Sequence, residues 1–181
     1  MKYVIVGCGR VGAALAEAFD NDGHEVLIID TSTRAFDRLS EEFKGQAMRG
    51  DGTDEDVLRK AGAERADVLL ALTEGDNRNV MAAQVAMEKL SVERAIAKIN
   101  DPVRAAAYAE LGIATICRTT MLTDATLGHL GLRPTGMPSV IAAVPHVHDD
   151  EAETSRGLAG GAGAEPGPGT SSASATSERR D

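Results

Sequence analysis

Gly7, Gly9 and Gly12 follow directly on the continuous apolar run Tyr3-Val4-Ile5-Val6 and open a stretch in which Val11, Leu15, Ala18 and Phe19 recur at three- and four-residue spacing. Few folds accept that order. The chain must leave a strand by a sharp turn and enter a helix that sits close against it, and residues without a Cβ permit both the turn and the approach. A run without polar alternation suits a parallel strand covered on both faces. A second such run, Val26-Leu27-Ile28-Ile29, begins after the turn at Gly23-His24.

The alternation continues along the chain. Phe36, Leu39 and Phe43 mark a helix, Gln46 to Gly50 a short strand, and Glu55 to Ala61 a helix closed by Gly62. Val68 to Leu72 reads as a strand, Asn77 to Leu90 as a helix and Ala95 to Ile99 as a fifth strand. Pro102 to Leu111 is a helix with proline in its first turn, Ala114 to Ile116 a sixth strand, and Thr120 to Leu130 a last helix. This rhythm predicts an α/β fold, a doubly wound parallel sheet of Rossmann type with six strands in the order 3-2-1-4-5-6. The expected domain covers residues 1–132. Residues 133–148 form a weakly structured extension, interrupted by Pro134, Gly136, Pro138 and Pro145, with an extended segment at Ser139 to Val144. Residues 149–181, dominated by Gly, Ala, Ser, Thr and Pro, form a disordered low-complexity tail, because such residues bury too little apolar area to offset the entropy of ordering.

Composition narrows the function classes. The net charge of −9 comes with no basic stripe and no interleaved aromatics, so the chain lacks the footprint that nucleic-acid backbones require. No stretch reaches the ~20 apolar residues of a membrane helix, and the N-terminal apolar run meets Gly7 too soon for a signal-peptide core. A soluble cytoplasmic protein is expected. Cys8 and Cys117 are too few for a disulfide framework or a metal site.

The glycines carry chemistry as well as geometry. Gly7-Cys8-Gly9-Arg10-Val11-Gly12 fits the dinucleotide fingerprint: the first glycine makes the turn, the second lets backbone approach a pyrophosphate, and the third lets helix and strand pack. The phosphates then lie on free N–H groups at a helix N-terminus. Asp30 ends the second strand, where a carboxylate accepts both ribose hydroxyls and repels a 2′-phosphate, which favours NAD(H) over NADP(H). Thr31, Ser32 and Arg34 leave room for the phosphorylated form, and ATP or ADP satisfies the same glycines and the same aspartate. Asp51 and Gly52, after the third strand, have two readings: a contact to adenine, or a helix-capping role for Asp51 or Thr53. Thr73 and Glu74 fall at the mouth of the crevice where the strand order reverses, and Asp76 has the place of a helix cap. Arg10 either reaches a terminal phosphate or is a solvated surface arginine, and Lys98 either faces the site or is an edge lysine.

Catalytic groups are harder to find. Hydride transfer needs a proton-moving His, Lys or Tyr–Lys pair over the nicotinamide. His24 falls at the opposite edge, His129 on the last helix, His146 and His148 near the tail, and neither Tyr3 nor Tyr108 has a lysine four residues on. Cys8 is the exception, since a thiol at a helix N-terminus has a lowered pKa. A small NAD-dependent oxidoreductase and a scaffold with a vestigial site are two readings of such a chain.

Together, Gly7 to Gly12, Asp30, Gly50-Asp51, Thr73 with Asp76 and Asn77, and the Leu111-Gly112-Ile113 step before the last helix resemble the TrkA-N domain, also called the KTN or RCK nucleotide-binding domain, over residues 1 to about 130. The resemblance implies a non-catalytic regulatory subunit of a membrane potassium transporter, in which NAD(H), NADP(H), ATP or ADP alters a dimer or ring on the inner face of the membrane. It assigns the phosphates to Gly7 through Val11, the ribose to Asp30, the adenine side to Asp51 and Gly52, the crevice to Thr73 and Glu74, and a flanking contact to Lys98. It matches helix 120–130, with Leu122, Leu127 and Leu130, to the family's dimer-packing helix. The chain departs from the pattern at Arg118-Thr119, where many members have Pro-Glu, and in its tail, where members often carry a second ligand-sensing domain.

Overall fold

The computed structural model describes residues 1–143; the expected tail and the end of the extension lie outside the described residues. The elements run β1 (Lys2–Val6), α1 (Arg10–Asn21), β2 (Glu25–Asp30), a 3-10 helix (Thr33–Arg38), β3 (Gln46–Arg49), α2 (Glu55–Lys60), a 3-10 turn (Ala63–Arg65), β4 (Val68–Ala71), α3 (Asp76–Leu90), β5 (Arg94–Ile99), α4 (Pro102–Glu110), β6 (Ala114–Cys117), α5 (Arg118–His129) and β7 (Val140–Ile141). They form one sheet in the order β3-β2-β1-β4-β5-β6-β7, parallel except for β7. The Rossmann order expected from the alternation is therefore present, with one strand added. Val140–Ile141 pairs antiparallel with β6, and the Cys117 N–H donates to the Ser139 carbonyl, so the proline-bounded segment finds its backbone partners at the open edge of β6.

Each central strand feeds two cores. Val4, Val6, Leu27, Ile29, Leu69 and Ala71 face α2 and α3 with Leu58, Ala82 and Ala86, while Ile5, Val26, Ile28, Val68 and Leu70 face α1 with Ala13 and Ala16. That is why these runs show no polar alternation. A third core joins Val80 and Ala83 of α3 to Ala97, Ile99, Ala105, Ile113 and Cys117. α2 and α4 are capped at their starts by the carboxylates of Asp54 and Asp101, each accepting two backbone N–H bonds.

Three local expectations change. The segment after β2 is not a full helix: only Thr33–Arg38 winds, and Leu39 and Phe43 reach the core from an irregular stretch. Its backbone is held by α1, whose Glu17 and Asp20 carboxylates accept the Ser40 and Lys44 N–H groups in place of helical partners. On α1 the buried stripe is Gly12, Ala13 and Ala16, whereas Val11 is 55% exposed and Ala18 is exposed, because the close approach to β1 admits only small side chains. The last helix starts at Arg118, directly on the end of β6, and among its residues only Thr120 is buried. It makes at most glancing contact with the other described elements.

Candidate nucleotide site

The site lies at the C-terminal ends of the strands, where β1 separates β2 from β4 and the chain order reverses, the place at which open parallel sheets bind ligands. Its floor is the glycine loop. Gly7 has φ +107°, and a Cβ there would press on the Leu72–Thr73 peptide 3.0–3.2 Å away. At Gly12 a Cβ would collide with the Gly7 carbonyl oxygen, so this glycine sets the distance between α1 and β1. Above Gly9 a Cβ would meet nothing within 4 Å. That open space faces the start of α1, which has neither a side-chain cap nor an acidic residue in its first turn, so its first N–H groups are left for an anion.

Asp30 stands beside this loop. One carboxylate oxygen accepts the Cys8 N–H at 2.8 Å and the other the Ser32 N–H at 2.9 Å. The remaining lone pairs face a cleft of about 220 Å³ bordered by Gly7, Gly9, Asp30, Gly50, Asp51, Gly52, Thr73, Glu74 and Arg78. Gly52 lies so close to Val6 that a side chain there would strike its methyl groups. Asp51 accepts both the backbone N–H (3.0 Å) and the hydroxyl (2.9 Å) of Thr53 through one oxygen, which holds its carboxyl below the usual carboxylate range. The capping role considered for Asp51 or Thr53 belongs instead to Asp54, which leaves the second oxygen of Asp51 without a partner among the described residues.

Cys8 departs from expectation. It is fully buried, its thiol donates to the Ala35 carbonyl at 3.3 Å, and burial, reinforced by the Asp30 carboxylate, pushes the thiol up to about 11. Helix N-termini lower thiol pKa values only where the sulfur can see the dipole from a solvated position; here it is turned down into the core. Arg10 is exposed and borders a second, shallower basin of about 740 Å³ with Arg34 and Arg38. Val11 is exposed and borders neither cavity.

Thr73 is fixed by a residue that the motif reading passed over. Asn79, fully buried on α3, accepts the Thr73 N–H at 2.8 Å and its hydroxyl at 2.6 Å, and donates to the Thr73 and Lys98 carbonyls at 3.0 and 2.8 Å. Every polar atom of its amide is used. The signal was available: Asn79 falls on the stripe continued by Ala82, Ala83 and Ala86, where a polar residue must be satisfied internally. Asp76 likewise does not cap α3, whose cap position is Gly75; its carboxylate accepts the Asn100 backbone and amide N–H groups at 2.9 and 2.7 Å and joins the two loops. Lys98 is no edge residue. It lies on β5 between β4 and β6, 7% exposed, and its ammonium meets Glu74 at 3.5 Å rather than the cleft itself.

The described residues thus bring Gly7, Gly9, Asp30, Asp51, Gly52, Thr73 and Glu74 around one cleft, with Arg78 as an addition and Lys98 one ion pair away. A model of the TrkA-N domain matches residues 3–119. The chain belongs to the TrkA-N domain family. The Trk system potassium uptake protein TrkA of Streptomyces coelicolor is 45% identical over 130 residues, covering 72% of this chain and 58% of that protein. The TrkA-N domain of the inner membrane protein YbaL from Escherichia coli superposes with a TM-score of 0.64 at 23% identity, over 71% of this chain and 96% of that one. The Kef C-terminal domain from Shewanella denitrificans, in an AMP-bound form, does so with a TM-score of 0.59 at 23% identity, over 72% and 82%. The chain spans from 22% to 58% of the length of the first curated relatives it matches, so the likeness concerns the TrkA-N domain and not those whole proteins. No described helix is long and apolar enough to cross a membrane.

Proposed function

We propose that this TrkA-N domain binds an adenine nucleotide, NAD(H) first and ATP or ADP second, and transmits its occupancy to a membrane potassium transporter without catalysing a reaction. The observation that carries the reading is Asp30: a carboxylate held by two backbone N–H groups at the end of β2, directed at a cleft floored by an uncapped helix N-terminus. That pairing suits a ribose next to a phosphate. Arg10, Arg34, Arg38 and Arg78 border the two cavities and there balance the carboxylates of Asp30, Asp37, Asp51 and Glu74, so the site offers guanidinium groups to an anionic ligand within a chain whose net charge is −9.

The regulatory part draws on the relatives, which are named for potassium uptake. In this reading the chain works at the inner face of the plasma membrane as a dimer or ring assembled through α5, whose Met121, Leu122 and Leu130 are 48%, 69% and 64% exposed. Ligand that prefers one arrangement of that assembly shifts its population and biases the transporter. Against catalysis stand the buried, high-pKa Cys8 and the engagement of the Tyr108 hydroxyl by Arg104 at 2.7 Å. A thermal-shift titration with NAD, NADH, NADP, ATP and ADP is the test, since ligand that binds only the folded state raises its stability. Larger shifts with NAD or NADH are expected, lost in Asp30→Ala; substrate-dependent NADH turnover, or no shift with any nucleotide, would overturn the proposal.

A further inference from the structure

Three carboxylates, those of Asp30, Asp51 and Glu74, border the nucleotide cleft, and among the described residues Arg78 is the one cation on its lining. Arg78 stands exposed in the first turn of α3, and no hydrogen bond or ion pair among the described residues engages it. Its charge is felt at Asp51, where, after the two bonds from Thr53, it helps hold the carboxyl low. A guanidinium without a fixed partner keeps its planar face available to a ligand.

The rest of the lining suits the flat part of a nucleotide. Gly50 and Gly52 border the cleft beside Asp51 as bare backbone, since a Cβ on Gly50 would strike Val57 and one on Gly52 would strike Val6. Val6, Ile29 and Leu72 add apolar surface, and none of the described aromatic residues borders the cleft. A nucleotide base has a polar edge to satisfy and π-faces to cover. The free oxygen of Asp51 serves the edge, and the Arg78 guanidinium is the one planar cation at hand for a face. We propose, resting on the nucleotide reading above, that Arg78 lays its guanidinium on the face of the bound base and so determines a preference for purines over pyrimidines. A guanidinium is weakly hydrated and stacks on π-systems, and the gain grows with the ring area it covers. The Asp51 oxygen accepts an amino group from adenine and cytosine alike, so the choice between those two bases falls to the stack.

Calorimetric titration of the full 181-residue chain with ADP, CDP and NAD tests this. ADP and CDP share the ribose, the diphosphate and an amino group on the base, and differ in ring area. The original chain is expected to bind ADP more tightly than CDP. Arg78→Ala should weaken ADP and NAD about tenfold, the order of one base stack, and CDP no more than about threefold, so that the preference narrows. Arg78→Lys keeps the charge and loses the plane, and should behave as Arg78→Ala does. Arg78 is exposed, so both variants are expected to keep the original melting curve. Equal losses for ADP and CDP, recovered in Arg78→Lys, would identify a phosphate contact and overturn this inference alone; unchanged affinities in both variants would do the same. No binding of ADP or NAD to the original chain would overturn the nucleotide reading and the stack with it.

Discussion

Leucines of the same kind meet opposite fates in the centre of the sheet and on α5. Leu58 and Leu69 are fully buried where both faces of the sheet are covered, whereas Leu122 on α5 and Leu130 at its C-terminal end are 69% and 64% exposed, on a helix that springs from the end of β6. The centre is complete in one chain. α5 is not: Met121 and Leu122 stand exposed among the described residues, and Leu127 is only half-buried. The cleft lies between these regimes: its floor, made of Gly7 and Thr73 over Gly12, is locked to the central strands, while Glu74 on its rim is 84% exposed and pairs with Arg118 in a solvated ion pair that contributes little to stability. A ligand therefore finds a rigid base and an adjustable rim.

The contrast can be broken or sharpened by substitution. The largest effect is expected at Leu58, where replacement by Ala opens a cavity under α2 and should cost about 3 kcal/mol, read from urea unfolding. A loss below about 1 kcal/mol would mean that the centre relaxes far more than its packing implies. Next comes Asn79→Ala, which orphans the Thr73 N–H and the Lys98 carbonyl; a loss of about 2 kcal/mol together with weaker nucleotide binding is expected. Loss of stability with binding intact would show that Asn79 supports the fold and not the mouth of the cleft. The smallest is Leu122→Glu, which should leave monomer stability within about 0.5 kcal/mol and lower the mass seen by light scattering from dimer to monomer. Marked unfolding of that variant would place α5 against its own chain and end the comparison.

Much of this was legible without coordinates. Unbroken apolar runs and the three glycines determine a doubly wound parallel sheet, because strands buried on both faces admit no polar alternation and a close helix admits no side chain at Gly12. They determine the glycine loop and the place of Asp30 beside it for the same reason: these are consequences of neighbours in the chain. Tertiary structure alone decided the rest. The Cys8 thiol points into the core instead of at the ligand, Lys98 is buried against Glu74, Val140–Ile141 closes on β6, and Asn79 reaches from α3 to two strand ends. Each depends on the direction of a side chain, or on an edge partner, supplied by residues many positions away; the spacing of residue types marks Asn79 as a polar residue on a buried stripe but does not name its partners.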